Sequence, residues 1–358
     1  MLNLRNSFIF GAVLLMAFAA LLVSGRAGAQ VQPAPAPVKP TPSPTIEEVE
    51  GIIRVETEAV NVLFTAQDPD NRLLLTLKPE DVRVLENGQP QEVTAFSKQV
   101  DLPLSLAILI DTSISQQRTL PQEKAAAIAF LEEVIRPAKD EVAVVSFTGE
   151  STLEQGMTSN LTRLRRAVDR VEFVPPSGYI GGGVVAPGTP PISGRNQSIS
   201  GSTAIWDAIW VTSADVLGPA PEKTRRAIIL LSDGENTSGQ KKLEEAVDAA
   251  LKAEAVIYAI GVGDDFYGGV NKGILNKVSE RTGGRAYFPR DERQLREAFK
   301  QIQEEMRSQY LIAYEPTNAD KDGTYRKIDI QLINPELARQ KVKLTHRQGY
   351  FAKSTPKK

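Results

Sequence analysis

At 358 residues the chain exceeds one ordinary domain, and its 41% hydrophobic and 24% charged residues are a globular balance that excludes wholesale disorder. Net charge is −2, and loss of a leader carrying Arg5 and Arg26 leaves 40 basic against 44 acidic side chains, which excludes the basic footprint of a nucleic-acid binder. With no cysteine there are no disulfides or thiolate ligands, and with His346 the single histidine any metal must be held by oxygen, as Mg²⁺, Ca²⁺ or Mn²⁺ are.

Residues 1–29 read as a signal peptide: Arg5 is the positive start, Phe8 to Val23 is apolar or small, and Ala27-Gly28-Ala29 is a cleavage site. The expected location is periplasmic or extracellular, the alternative being an uncleaved N-terminal membrane anchor. No later stretch is apolar enough to span a bilayer. Residues 30–45 form a Pro-rich linker, extended and unable to pack a core.

Residues 46–100 are an N-terminal β segment, with strands expected at 53–57, 60–65, 82–85 and 93–96 and a hairpin turn at Asn87-Gly88. From 101 to 307 strands alternate with helices. Strands are predicted at 105–110, 142–147, 227–231, 256–260 and 286–288. Helices are predicted at 121–136, 161–171, 203–217, 241–253, 274–281 and 292–307. Nearly continuous apolar strands between helices describe a doubly wound α/β fold with a mostly parallel sheet. Residues 308–353 return to β character at 310–314, 325–332 and 342–346. They are expected to pair with 46–100 in one small β-sandwich, the α/β domain being inserted between its halves, because neither half has enough strands to bury a core alone.

Three loops at the carboxyl ends of these strands carry oxygen ligands. Asp111, Ser113 and Ser115 follow the first apolar strand in Asp-x-Ser-x-Ser spacing; Thr203 follows Gly201-Ser202; Asp233 follows the strand at 227–231. Open α/β sheets present ligands at this edge. Two carboxylates and three hydroxyls suit a hard octahedral cation that keeps some of its water.

These five positions resemble the metal-ion-dependent adhesion site of von Willebrand factor A domains. The flanking blocks at 79–88, 201–208, 282–288, 308–318 and 349–351 are similar to those of the VWFA-related proteins of Acidobacteria. The resemblance implies that Ser113, Ser115 and Thr203 ligate directly and that Asp111 and Asp233 act largely through water. The cation, Mg²⁺ with Ca²⁺ or Mn²⁺ as alternatives, would then accept the Asp or Glu carboxylate of a protein partner in adhesion or envelope assembly. It also implies that the helix at 292–307 shifts on ligand binding.

Other readings stand beside this one: an envelope scaffold with a non-essential metal site, or a metal-dependent hydrolase. Against hydrolysis, the sequence has no Gly-rich phosphate loop, no H-E-x-x-H and no GxSxG. The Pro/Gly-rich stretch 175–200 enters Thr203 and is expected to overhang the metal, either as a ligand-contacting loop that makes Tyr179 a partner-contact candidate, with Glu235, or as a mobile insertion. Trp206 and Trp210 have core spacing, Arg163, Arg165 and Arg166 an exposed helix face, and His346 the look of a solvated edge residue.

Overall fold

The computed structural model describes residues 59–99, 102–175, 179–181, 184–185, 202–221, 224–263 and 268–354. The expected leader, linker and strand at 53–57 lie outside them. Four strands come first: β1 (Val60–Gln67), β2 (Val82–Glu86), β3 (Gln89–Gln91) and β4 (Val93–Gln99). Asn87 and Gly88 both take positive φ between β2 and β3, the backbone a two-residue hairpin turn requires.

The central region begins with β5 (Leu104–Asp111), α1 (Leu120–Val134), β6 (Glu141–Phe147), β7 (Ser151–Thr158) and α2 (Leu161–Arg170). After β8 (Tyr179–Gly181) and β9 (Val184–Val185), α3 (Ile205–Val211) widens into a π-helical stretch over Thr212–Leu217. There follow β10 (Arg225–Ser232), α4 (Leu243–Lys252), β11 (Ala255–Gly261), α5 (Lys272–Thr282), β12 (Ala286–Tyr287) and α6 (Glu292–Arg307). The last elements are β13 (Gln309–Tyr314), β14 (Tyr325–Leu332), α7 (Pro335–Arg339), β15 (Lys343–His346) and β16 (Gly349–Phe351).

The central sheet has the order β12-β11-β10-β5-β6-β7 and is parallel except for β7. Every residue of β5 is buried, which explains its unbroken apolar run. Side chains alternate across the pleat. Leu106, Ile108 and Ile110 join Phe130, Leu164 and Phe299 of α1, α2 and α6. Ala107 and Leu109 join Ile209, Val247 and Val278 of α3, α4 and α5. Helices thus cover both faces. Each fully buried Leu or Ile contributes roughly 1.5–3 kcal/mol to holding this layer together.

Two further sheets, β15-β1-β13-β4 and β16-β14-β2-β3, enclose a separate core that includes Val62, Phe64, Val84, Ile312, Ile328 and Ile330. In the first, β13 lies between β1 and β4, with Val62 opposite Ile312. In the second, β14 pairs with β2, with Ile330 opposite Val84. The sandwich is therefore interleaved from both ends of the chain, and the α/β region is inserted between its halves.

Several local expectations are corrected. β7 was not foreseen, because Ser151–Thr158 has no apolar run; as an edge strand it buries little, and Leu153 is exposed. The helix expected from Thr203 starts at Ile205, leaving Thr203 in the preceding loop. His346 is half-buried, not a solvated edge residue: its Nε2 accepts from the Ile330 amide at 3.2 Å, and Nδ1 lies 2.8 Å from the Arg347 carbonyl. That pairing fixes the neutral tautomer with the proton on Nδ1, and burial pushes the ring's pKa down.

Candidate metal centre

Asp111 is the last residue of β5, and β10 runs beside it in parallel with Leu231 opposite Ile110. That register sets Ser232 next to Asp111, and the Ser232 hydroxyl donates to Asp111 Oδ2 at 2.7 Å. The Asp111 Oδ1 accepts from the Ser113 amide at 3.0 Å, an Asx-type turn that swings the next residues back across the strand end. A short 3₁₀ turn over Ile114–Gln116 then brings the hydroxyls of Ser113 and Ser115 to 3.1 Å of one another. Gln116 anchors this turn by donating to the Val262 carbonyl beyond β11 at 3.0 Å.

Asp233 leaves β10 one residue further on. Its Oδ1 accepts from the Glu235 amide at 2.9 Å, and the Ser115 hydroxyl also bonds its carboxylate. Gly234 holds φ at +85°, and a Cβ there would stand 3.0 Å from the Leu275 side chain and 3.1 Å from the Asn271 carbonyl. The turn that aims Asp233 thus requires glycine. The Thr203 loop is tied to the same segment: its carbonyl accepts from Thr237 and Ser238, and its amide donates to the Thr237 hydroxyl at 2.8 Å. The next amide, of Ala204, donates to the Thr148 carbonyl after β6 at 2.7 Å.

Four of the five sequence candidates, Asp111, Ser113, Ser115 and Asp233, are therefore linked through hydrogen bonds, and Thr203 sits on a loop pinned to Asp233's own. All five are buried, Asp111 completely. Burial first, then repulsion from Asp233, pushes the Asp111 carboxyl up to about 7; burial likewise raises Asp233. Hydroxyls and amides donate these bonds, which orients the carboxylates without neutralising them. Two buried like charges with converging hydroxyl oxygens fit a hard divalent cation. Among the described residues no three His, Cys, Asp or Glu side chains converge on a metal position.

Glu235 is exposed at the rim, its carboxylate accepting from Asn271 Nδ2 at 2.9 Å. Tyr179 opens the β8–β9 hairpin. Residues 176–178, 182–183 and 186–201, including Gly201, lie outside the described residues, and with them the expected overhang of this loop.

Two participants were missed in the sequence. Ser232 could have been found from strand register, since it ends β10 beside the end of β5. Glu123 lies on α1 with both carboxylate oxygens buried and the Thr119 hydroxyl as the polar group beside it. Burial raises its carboxyl to about 8, with Asp111 and Asp233 adding repulsion. Its signal was helical spacing: Leu120, Glu123, Ala127, Phe130 and Val134 share the buried face.

Residues 193–301, less than a third of the chain, match the family model of the von Willebrand factor type A domain, a span that takes in Thr203 and Asp233. Among solved structures, BatB from Bacteroides thetaiotaomicron is 18% identical over 57% of this chain and 98% of its own, with a TM-score of 0.43. Proximal thread matrix protein 1 from the mussel byssus, with a zinc-occupied MIDAS motif, is 21% identical over 62% of this chain and 49% of its own, with a TM-score of 0.45. This chain thus spans about half of the mussel protein. An aerotolerance-related membrane protein of Bacteroides fragilis NCTC 9343 is 18% identical over 57% of this chain and 100% of its own, with a TM-score of 0.41. No curated protein matches the chain. No helix among the described residues is long and apolar enough to cross a membrane.

Proposed function

We propose that this is an exported binding protein in which Asp111, Ser113, Ser115, Thr203 and Asp233 hold a divalent cation, Mg²⁺ in the first instance. A protein partner's Asp or Glu carboxylate would complete the cation's shell. The observation that carries this reading is the pair of buried carboxylates at the ends of adjacent parallel strands, bonded to hydroxyls and amides. The von Willebrand factor type A match over Thr203 and Asp233 supports it. When bound, the cation supplies an electrophilic position open to a partner oxygen.

The chain's own residues do the rest. Ser232 and the Ser113 amide hold Asp111, the Glu235 amide orients Asp233, and Gln116 fixes the serine turn. Glu235 at the rim and Tyr179 of the β8–β9 hairpin are the proposed partner contacts. We read the site as binding and not hydrolytic. Glu235, the exposed carboxylate beside Asp233, is engaged by Asn271 rather than left free as a general base.

Calorimetric titration of Mg²⁺, Ca²⁺ and Mn²⁺ into the protein and its Asp111→Ala/Asp233→Ala variant tests this. Saturable one-site binding lost in the variant is expected, tightening when a glutamate-bearing peptide is present. Indistinguishable heats from the two proteins, with and without peptide, would sink the reading in favour of a scaffold.

A further inference from the structure

The opposite end of the central sheet holds a cavity of about 370 Å³ where the α/β region meets the sandwich. Leu104 opens β5 there and Asp111 ends it, so roughly 23 Å of strand separates this cavity from the metal centre. Its walls come from both layers. Leu63 of β1 and Leu311 of β13 face Leu104 of β5, Leu251 of α4 and Met306 of α6. The volume falls in the range of small-ligand sites, which are mostly apolar with a few polar groups that fix orientation.

Three arginines line the same space, Arg225, Arg226 and Arg347, with Glu254 the one carboxylate among the lining residues. Arg226 spreads its fork over backbone carbonyls: Ala253 at 3.1 Å, Ala220 at 2.6 Å and Pro221 at 3.3 Å. Arg347 donates to the Asn61 carbonyl at 2.8 Å and reaches Glu254 at 3.3 Å, although the Glu254 side chain is itself mostly exposed. Both Arg226 and Arg347 retain a buried Nε with no acceptor. Arg225 donates to the Met306 carbonyl, and burial together with the charges of Arg136 and Arg307 pushes its pKa down to about 10. Carbonyls hold these guanidiniums in place without cancelling their charge, so the cavity carries an excess of positive charge beside apolar walls.

We propose that this cavity binds a small amphiphilic oxyanion, an acyl chain ending in a carboxylate. The head lies against Arg226 and Arg347, where planar guanidiniums suit a two-oxygen acceptor, and the chain lies along Leu63, Leu251 and Leu311. The apolar walls require the tail, and three arginines against one carboxylate in the lining favour an anionic head. A neutral alkane would leave the arginines as they are, and a free inorganic anion would leave the leucines wet.

The test is calorimetry of the full chain in chelator-containing buffer, so that its outcome is independent of the metal reading, with octanoate, octyl phosphate and 1-octanol as probes. Octanoate should bind at one site at least about tenfold more tightly than octanol. That preference should disappear in Arg226→Gln/Arg347→Gln. Because Arg226 also ties down backbone, Leu311→Trp provides a second variant that fills the cavity and touches no guanidinium; it should abolish binding while thermal unfolding stays cooperative. Octyl phosphate binding more tightly than octanoate would overturn the carboxylate head. Octanol binding as well as octanoate, or octanoate binding undiminished by Leu311→Trp, would overturn the site itself. So would an acidic peptide that binds where octanoate does not.

Discussion

Glu123 and Asp111 are carboxyls whose native environment favours the protonated form. In metal-free protein, Glu123 titrates near 8 when folded, against 4.5 for the free side chain. Between these values the native state keeps a proton that the unfolded chain has released, so stability falls as pH rises, by at most about 1.4 kcal/mol per pH unit. Glu123→Gln removes that part of the slope. Urea unfolding at pH 8 in chelator should find the variant more stable than the parent, and less so at pH 5. Asp111→Asn should behave alike, since it removes one of two repelling buried charges, and it should also lose stabilisation by Mg²⁺. Ser232→Ala keeps both carboxylates but drops the 2.7 Å bond to Asp111. Its cation affinity should fall about 10- to 100-fold, as outer-shell losses do, read by the same calorimetric titration.

At the scale of elements, the loops that aim the site depend on strand register and on a few enforced turns. Gly234→Ala would place a side chain at φ +85° and within 3.1 Å of Asn271 and Leu275. A loss of about 1–3 kcal/mol in thermal unfolding is expected, with weakened cation binding. Helix α6 is latched at its far end by Glu305, a buried carboxylate that accepts from Gln67 at 2.9 Å and from the Tyr287 phenol at 2.8 Å, with Arg285 at 3.5 Å. Gln67 belongs to β1, so this one side chain joins the last helix of the α/β region to the sandwich. Glu305→Ala leaves buried Gln67 and the half-buried Tyr287 phenol and Arg285 each short of a partner and should destabilise by about 3 kcal/mol. Hydrogen exchange at 300–307 should accelerate with it.

For the whole molecule, the interleaved sandwich makes the two ends of the chain mutually dependent. Its core contains a charged knot: Glu86 accepts from the Tyr314 and Tyr350 phenols at 2.8 and 2.9 Å and pairs with Arg326 at 3.5 Å. Arg326 in turn caps the carbonyls of Asn318 and Asp320, folding the connection between β13 and β14. Arg326→Met should cost about 3–5 kcal/mol because Glu86 remains buried without its cation. Hydrogen exchange should then rise in β2 and β14 while β5 and β10 stay protected. Equal loss of protection in β5 would show that the two cores unfold as one unit.

The α/β alternation was legible in the sequence because burial on both faces demands continuous apolar strands, and β5, β10 and β11 supply them. The candidate ligands were legible because Asp-x-Ser-x-Ser and Ser-Asp-Gly fall at strand ends, where backbone direction alone brings loops to one edge. The insertion between sandwich halves followed from a count: neither terminal segment could close a core. Edge strand β7 was not legible, since a strand with one neighbour and an exposed face carries no apolar signature. Ser232 and Glu123 left only positional signals, a strand end and the buried face of a helix, and their roles, like that of His346, depend on neighbours distant in sequence. The arginine-lined cavity was beyond the sequence altogether, since Leu63, Arg226, Leu311 and Arg347 meet only after the two ends of the chain pair. Local periodicity determines which elements form and which face they bury; long-range packing decides which polar groups end in the dark together, and that shapes both candidate sites.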